Sequence, residues 1–124
     1  MLKPGAVSSD YEKQMASLVE QQLIKLGVLD AEKVKNQDPE NPLYKKYFMH
    51  GTAHFIGLDV HDVGLYTRTF EAGMVLTCEP GIYIAEEGIG CRLENDYLIT
   101  SQGNFNLTAE MPIEIAEIEA LMIK

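Results

Sequence analysis

Between Ser8 and Leu26 apolar side chains recur at Tyr11, Met15, Leu18, Val19, Leu23 and Leu26, the interval of one helix face. Ser8, Ser9 or Asp10 is available as N-cap and Gly27 as the stop, so the pattern predicts an amphipathic helix. The period is lost from residue 30 to residue 42, DAEKVKNQDPENP, where charge and two prolines predict an exposed connection. The stretch from Leu43 to Met49 is too short for a period to separate a helix from an extended lead-in, and both stay open. From Met74 to Thr100, β-branched and aromatic runs flank AEEGIG, a hairpin pattern in which Gly88 and Gly90 are free to take positive φ. A period of two in the second run sets Arg92, Glu94 and Asp96 on one face and Cys91, Leu93, Asn95 and Tyr97 on the other. Pro112 suits the first turn of a closing helix on which Ile115, Ile118 and Met122 form an apolar docking stripe. No internal repeat or low-complexity tract interrupts this order.

Composition narrows the picture without changing it. With 46% hydrophobic and 23% charged side chains, the 124 residues have material for a single domain and one modest core. A formal charge of −9 offers no basic footprint, so neither nucleic acid nor an anionic membrane is expected as a partner. No apolar run approaches the roughly 20 residues that span a bilayer. The opening MLKPGAVSSDYEK has neither a signal-peptide apolar region nor a cleavage motif, and a cytoplasmic location is expected. Cys78 and Cys91 are too few for a disulfide framework and read as small buried free thiols.

The chemistry is concentrated. All three histidines, His50, His54 and His61, lie in HGTAHFIGLDVHDVG with two aspartates, and two lone glutamates follow in TCEPGIYI and CRLENDYLIT. His50 and His54 have the four-residue spacing of zinc proteases, but the HExxH glutamate is missing and Gly51 weakens a helix there, which disfavours that reading. Phe55, Leu58 and Val60 alternate with polar residues in a partly extended pattern that turns a histidine toward a cleft. Glu79 and Glu94 sit in runs whose hydrophobicity predicts burial, which an unpaired carboxylate resists by several kcal/mol. Arg92 supplies one counter-charge, so a buried ion pair and a metal site both stay open. Two carboxylates with an imidazole make a hard donor set suited to Mn(II) or a similar divalent ion.

Taken together, HGTAHFIGLDVHDVG, FEAGMVLTCEPGIYI and GIGCRLENDYLITSQGNFNLT closely resemble the C-terminal part of Xaa-Pro aminopeptidases and prolidases, the pita-bread-fold metallopeptidases, in register from LKPG to IEALM. The resemblance implies an α+β chain forming the C-terminal half of that fold, a curved antiparallel sheet with helices packed on one face. It implies a centre of two divalent ions, with Mn(II) expected, held by two aspartates, one histidine and two glutamates. His54 matches the histidine ligand, Glu79 the first glutamate and Glu94 the second, which bridges both ions. His50 and His61 match two histidines that line the substrate site and stabilise the tetrahedral intermediate. Arg92 and Tyr83 match residues that support the metal-binding carboxylates and take part in proton movement, and Glu79 doubles as general base.

The implied reaction is hydrolysis of the bond between an N-terminal residue and a proline at the second position of a peptide. A prolidase acting on Xaa-Pro dipeptides is the alternative within that class, and a non-catalytic pita-bread binding protein the alternative outside it. Methionine aminopeptidases share the fold but differ around GLDVHDVG. Retention of His54, Glu79, Glu94 and both accessory histidines disfavours a degenerate scaffold.

In the family the two aspartate ligands belong to a DG…SD segment that precedes the LKPG helix, and the 124 residues hold neither. Asp10, Asp30 and Asp38 fall in a helix start and a polar connection and do not replace them. Cys78 stands where an aliphatic residue is common and Asn95 where aspartate is usual. The expectation is the C-terminal part of a larger hydrolase, inactive alone and binding metal weakly at best. Apolar surface left uncovered invites self-association, so a homodimer is expected.

Overall fold

The computed structural model of the chain describes residues 1–123. Helix α1, Ser8–Lys25, follows the predicted period and buries Tyr11, Met15, Val19 and Leu23, one turn apart, while Leu18 and Leu26 stay exposed at the margins of the stripe. Its N-cap is Val7, not one of the three polar candidates, and no side chain caps it. Val7 is held extended by an antiparallel bridge to Thr69, and Phe70 N–H donates to the Ala6 carbonyl at 2.7 Å, so pairing, not a cap, sets where the helix begins. The end is as predicted: Gly27 takes φ +74°, and Val28 N–H reaches back to the Leu23 carbonyl at 2.9 Å, closing the last turn.

The predicted connection over residues 30–42 contains a one-turn helix, α2 (Ala31–Lys35), started by the Asp30 carboxylate accepting from Lys33 N–H at 2.9 Å. Five residues leave no room for a period, so a local cap is what makes this turn. Leu43–Lys46 form a 3₁₀ turn, resolving the open segment.

The hairpin is longer and more divided than its sequence pattern. Strand β1 (Val75–Cys78) pairs with β4 (Asn95–Thr100), and β2 (Gly81–Ile84) with β3 (Ile89–Arg92), all antiparallel. Both ladders keep one register, Val75 opposite Leu98 through Cys78 opposite Asn95, then Gly81 opposite Arg92 through Ile84 opposite Ile89. The break between them therefore leaves Glu79 facing Glu94. At the tip, Ala85–Glu87 form a 3₁₀ turn and Gly88 takes φ +65°, whereas Gly90 lies inside β3 with no positive φ. Strand β5 (Gly103–Asn106) adds to the other edge of β4.

On the free side of β1 the segment 52–55 runs antiparallel as a short fourth strand. Phe55 bridges Leu76, Thr77 N–H donates to the His54 carbonyl, and Glu79 N–H donates to the Thr52 carbonyl, the last two at 2.9 Å. Period-two alternation then sorts the side chains. Leu76, Ile99, Cys78 and Tyr97 join Tyr11, Met15 and Phe70 under α1, and Thr77, Glu79 and Glu94 turn to the opposite face. A second cluster, Val19, Leu23, Leu29 and Phe48, packs the C-terminal half of α1 onto the 44–48 segment and Ile82. Helix α3, Ile115–Met122, starts after Glu114, so Pro112 lies outside it. Its stripe is uncovered, with Ile115 76% and Met122 77% exposed.

Candidate metal centre

The fold brings His54, Glu79 and Glu94 together from three places. His54 lies on the short edge strand, Glu79 one residue past β1 with its N–H on the Thr52 carbonyl, and Glu94 one residue before β4, opposite Glu79 in the break between the two ladders. One donor atom from each lies within 4.8 Å of the others. His54 Nε2 is 3.3 Å from Glu79 Oε1 and 4.0 Å from Glu94 Oε1. Donors at about 2.1 Å from one ion stand about 3.0 Å apart at right angles and about 4.2 Å apart when opposed, so both separations fit one divalent ion.

The orientation of the His54 ring agrees. Its Nδ1 lies 2.9 Å from the Phe55 carbonyl oxygen, which leaves Nε2 as the ring nitrogen facing the glutamates. Its backbone is pinned as well, N–H donating to Thr77 Oγ1 at 3.1 Å, and Thr77 is fully buried.

Glu79 is buried, as its run predicts, but Glu94 is not: its side chain is 45% exposed. The apolar residues beside Glu94 face the other way, and Leu93 itself is exposed, so the hydrophobic run does not bury the carboxylate. Arg92 is the counter-charge of Glu79, Nη1 donating to Oε2 at 3.1 Å, which leaves Oε1 toward His54. Arg92 Nε donates to the Tyr83 hydroxyl at 2.8 Å, and that bond first, with the nearby glutamates, raises the guanidinium above its ordinary pKa. The ion-pair and metal readings are thus compatible, since one carboxylate serves both with different oxygens.

The other two histidines flank this group. The His61 ring lies 4.3 Å from the His54 ring, centroid to centroid, on an exposed loop with Leu58 and Val60 turned to solvent. His50 is half-buried between Phe48 and Tyr83, its Nδ1 against the Gly51 carbonyl at 2.6 Å. His50 Nε2 is buried without a hydrogen-bond partner among the described residues. A Cβ on Gly81 would come within 3.2 Å of that nitrogen and 2.8 Å of the Tyr83 hydroxyl, so the site closes only over a glycine. His50, His54, His61, Glu79 and Arg92 line one cleft of about 330 Å³, while the Tyr83 hydroxyl stands behind Arg92.

Every site residue predicted from sequence is therefore local to this cleft. Missed were Thr52 and Thr77, whose hydrogen bonds align His54 with Glu79, and Asp62, whose carboxylate accepts from Leu58 and Val63 N–H at 2.9 and 2.7 Å and shapes the His61 loop. Nothing in their local sequence marks them, because each acts through a partner chosen by tertiary pairing. Cys78 is half-buried and accepts from the Tyr11 hydroxyl at 3.4 Å, but Cys91 is exposed, contrary to expectation, because the face of β3 it shares with Leu93 has nothing packed fully over it.

The model for metallopeptidase family M24 matches residues 1–101. The Xaa-Pro aminopeptidase of Escherichia coli (strain K12) is 42% identical over 137 residues, covering 99% of this chain and 30% of its own length. Zn-substituted E. coli aminopeptidase P in complex with product superposes with a TM-score of 0.83 at 40% identity, again over 99% of this chain and 30% of that one. E. coli aminopeptidase P with the inhibitor Pro-Leu gives 0.82 at 40% identity, with the same coverage. The chain thus spans about 30% of the length of the relatives it matches, and its α+β architecture is part of the pita-bread fold of those aminopeptidases.

Proposed function

Because the chain belongs to metallopeptidase family M24, we propose that it provides the histidine and glutamate side of a dinuclear centre in an enzyme that releases an N-terminal residue from a Xaa-Pro bond. One observation carries this reading: donor atoms of His54, Glu79 and Glu94 converge within 4.8 Å, with His54 Nε2 the ring nitrogen turned toward the carboxylates. His54, Glu79 and Glu94 would hold divalent ions there, Mn(II) in our reading, which would supply acidification of a water and polarisation of the scissile carbonyl. Glu79, hydrogen-bonded to Arg92 through Oε2, would accept the proton of the attacking water on Oε1. Glu94 would be the second glutamate to hold the ions. His61, exposed beside His54, and His50, at the inner end of the cleft, meet the peptide and donate to the developing oxyanion. Tyr83 accepts from Arg92 Nε and steadies it, leaving its own hydroxyl proton for the proton movement. The remaining ligands in this reading are the two aspartates of the family's DG…SD segment, outside these 124 residues.

Two measurements test the reading. Calorimetric titration of the 124-residue chain with Mn(II) is expected to show weak binding, micromolar or poorer, lost in His54→Ala; equal heats from both proteins refute the centre. In a chain that also carries the aspartate-bearing segment, Xaa-Pro-Xaa tripeptides should lose their first residue, and Glu79→Gln should abolish this. Retained turnover in that variant refutes Glu79 as base. The uncovered α3 stripe supports the homodimer, and a stable monomer in sedimentation at micromolar concentration would exclude it.

A further inference from the structure

We propose that Glu12, on the first half of α1, is a positioning residue for the His54–Glu79 pair and acts through Thr52; the inference rests on the metal-centre reading above. Both carboxylate oxygens of Glu12 accept from Thr52, from its N–H at 3.0 and 3.2 Å and from its Oγ1 at 3.2 Å each. Thr52 is fully buried. Its carbonyl accepts the N–H of Glu79 at 2.9 Å, so the peptide that carries one proposed ligand hangs on the residue that Glu12 grips. Two residues along the same edge strand, His54 is locked to Thr77 in both directions, N–H to Oγ1 at 3.1 Å and carbonyl from N–H at 2.9 Å. Thr52 is thus the point at which α1 clamps the end of the strand that presents His54.

A half-buried carboxylate ordinarily seeks a cation. Among the described residues Glu12 forms no ion pair, and its hydrogen bonds go to neutral donors of Thr52 alone. Hydrogen bonds to an ionised acceptor are about twice as strong as neutral ones, so the charge holds the edge strand more tightly than an amide would. Beyond Thr52 toward His50 the segment turns away from β1, and the next backbone bond it makes to the hairpin is from Tyr83 N–H to the Tyr47 carbonyl. Without Glu12 the edge strand would fray from this end, where Glu79 and His54 are adjacent. Metal donors need placement within about 0.5 Å, and loss of groups that orient ligands typically costs 10- to 100-fold in affinity.

The test uses the full 124-residue chain, Co(II) as the probe and amide hydrogen exchange as a second readout. In Glu12→Ala, Co(II) affinity should fall at least about ten-fold with altered visible bands, and exchange at Glu79 N–H should quicken by a similar factor. Exchange at Ile99 N–H, bonded to the Met74 carbonyl at 2.8 Å at the far end of β1, should be unchanged. Glu12→Gln, which restores one acceptor oxygen, should fall between. Unchanged Glu79 exchange in Glu12→Ala, or unchanged Co(II) affinity and bands, overturns the proposal. Equal acceleration at Ile99 overturns it as well, since the effect would then be global. If the wild-type chain shows no Co(II) bands, the metal-centre reading falls and the exchange comparison alone decides the role of Glu12.

Discussion

Truncating Leu76 to alanine tests the floor on which the centre is built. Leu76 is fully buried in β1, bridged to Phe55, and packs with Tyr11, Met15, Phe70 and Ile99 beneath the strand that carries Thr77 and Glu79. The substitution removes three carbons from water-free surroundings, about 2.4 kcal/mol at about 0.8 kcal/mol each. A residual cavity of about 50 Å³ adds about 1.2 kcal/mol at about 24 cal/mol per Å³, giving about 3.6 kcal/mol. With an unfolding entropy of about 2.1 cal/mol/K per residue, a chain of this length loses about 14 °C of Tm. Urea titration followed by circular dichroism, with unchanged m, and a thermal melt measure both quantities. Leu107→Ala, at a position 50% exposed, is the control and should shift stability by less than about 0.5 kcal/mol. A Leu76→Ala protein within about 1 kcal/mol of the wild type would mean that the sheet is not packed under α1 as described.

Gly64→Ala should cost about 1–3 kcal/mol, because a Cβ there meets the Phe55 ring directly; a wild-type melting temperature would contradict the loop geometry. Burial, and then the bond to Cys78, push the Tyr11 hydroxyl well above its ordinary pKa. The folded state therefore holds that proton more tightly than the unfolded one. Stability from Tyr11 is complete below about pH 10 and is lost as pH rises beyond it toward the folded value, so melts from pH 8 to 11 should decline less steeply in Tyr11→Phe, and parallel declines would refute this. A thiol reagent should modify exposed Cys91 at once and Cys78 only on unfolding, whereas two equally fast thiols would place Cys78 at the surface.

Elements whose signal lies within a few consecutive residues were legible. The α1 stripe and its Gly27 stop need only a helical period and a residue able to take positive φ, and the AEEGIG turn needs only Gly88 between strand formers. The α2 turn was not, since a single Asp30 cap in a charged stretch looks like any loop. The start of α1 was misread because pairing between Val7 and Thr69, distant in sequence, substitutes for a cap. Burial failed for Glu94 and Cys91 for a related reason: hydrophobic neighbours say which face of a strand is apolar, not whether anything covers it.

What the sequence determined by itself was the set of candidate groups. An imidazole and two carboxylates are a donor set suited to a hard divalent ion, and an arginine is their counter-charge, wherever the chain places them. Tertiary structure decided their geometry, through one pairing register that sets Glu79 opposite Glu94 and an edge strand that brings His54 within 3.3 Å of Glu79. It also chose the unmarked supports, Thr77, Thr52 and Glu12, because a hydrogen bond depends on which backbone groups meet across the ladder, and that follows from packing both faces of the sheet rather than from any local run of residues.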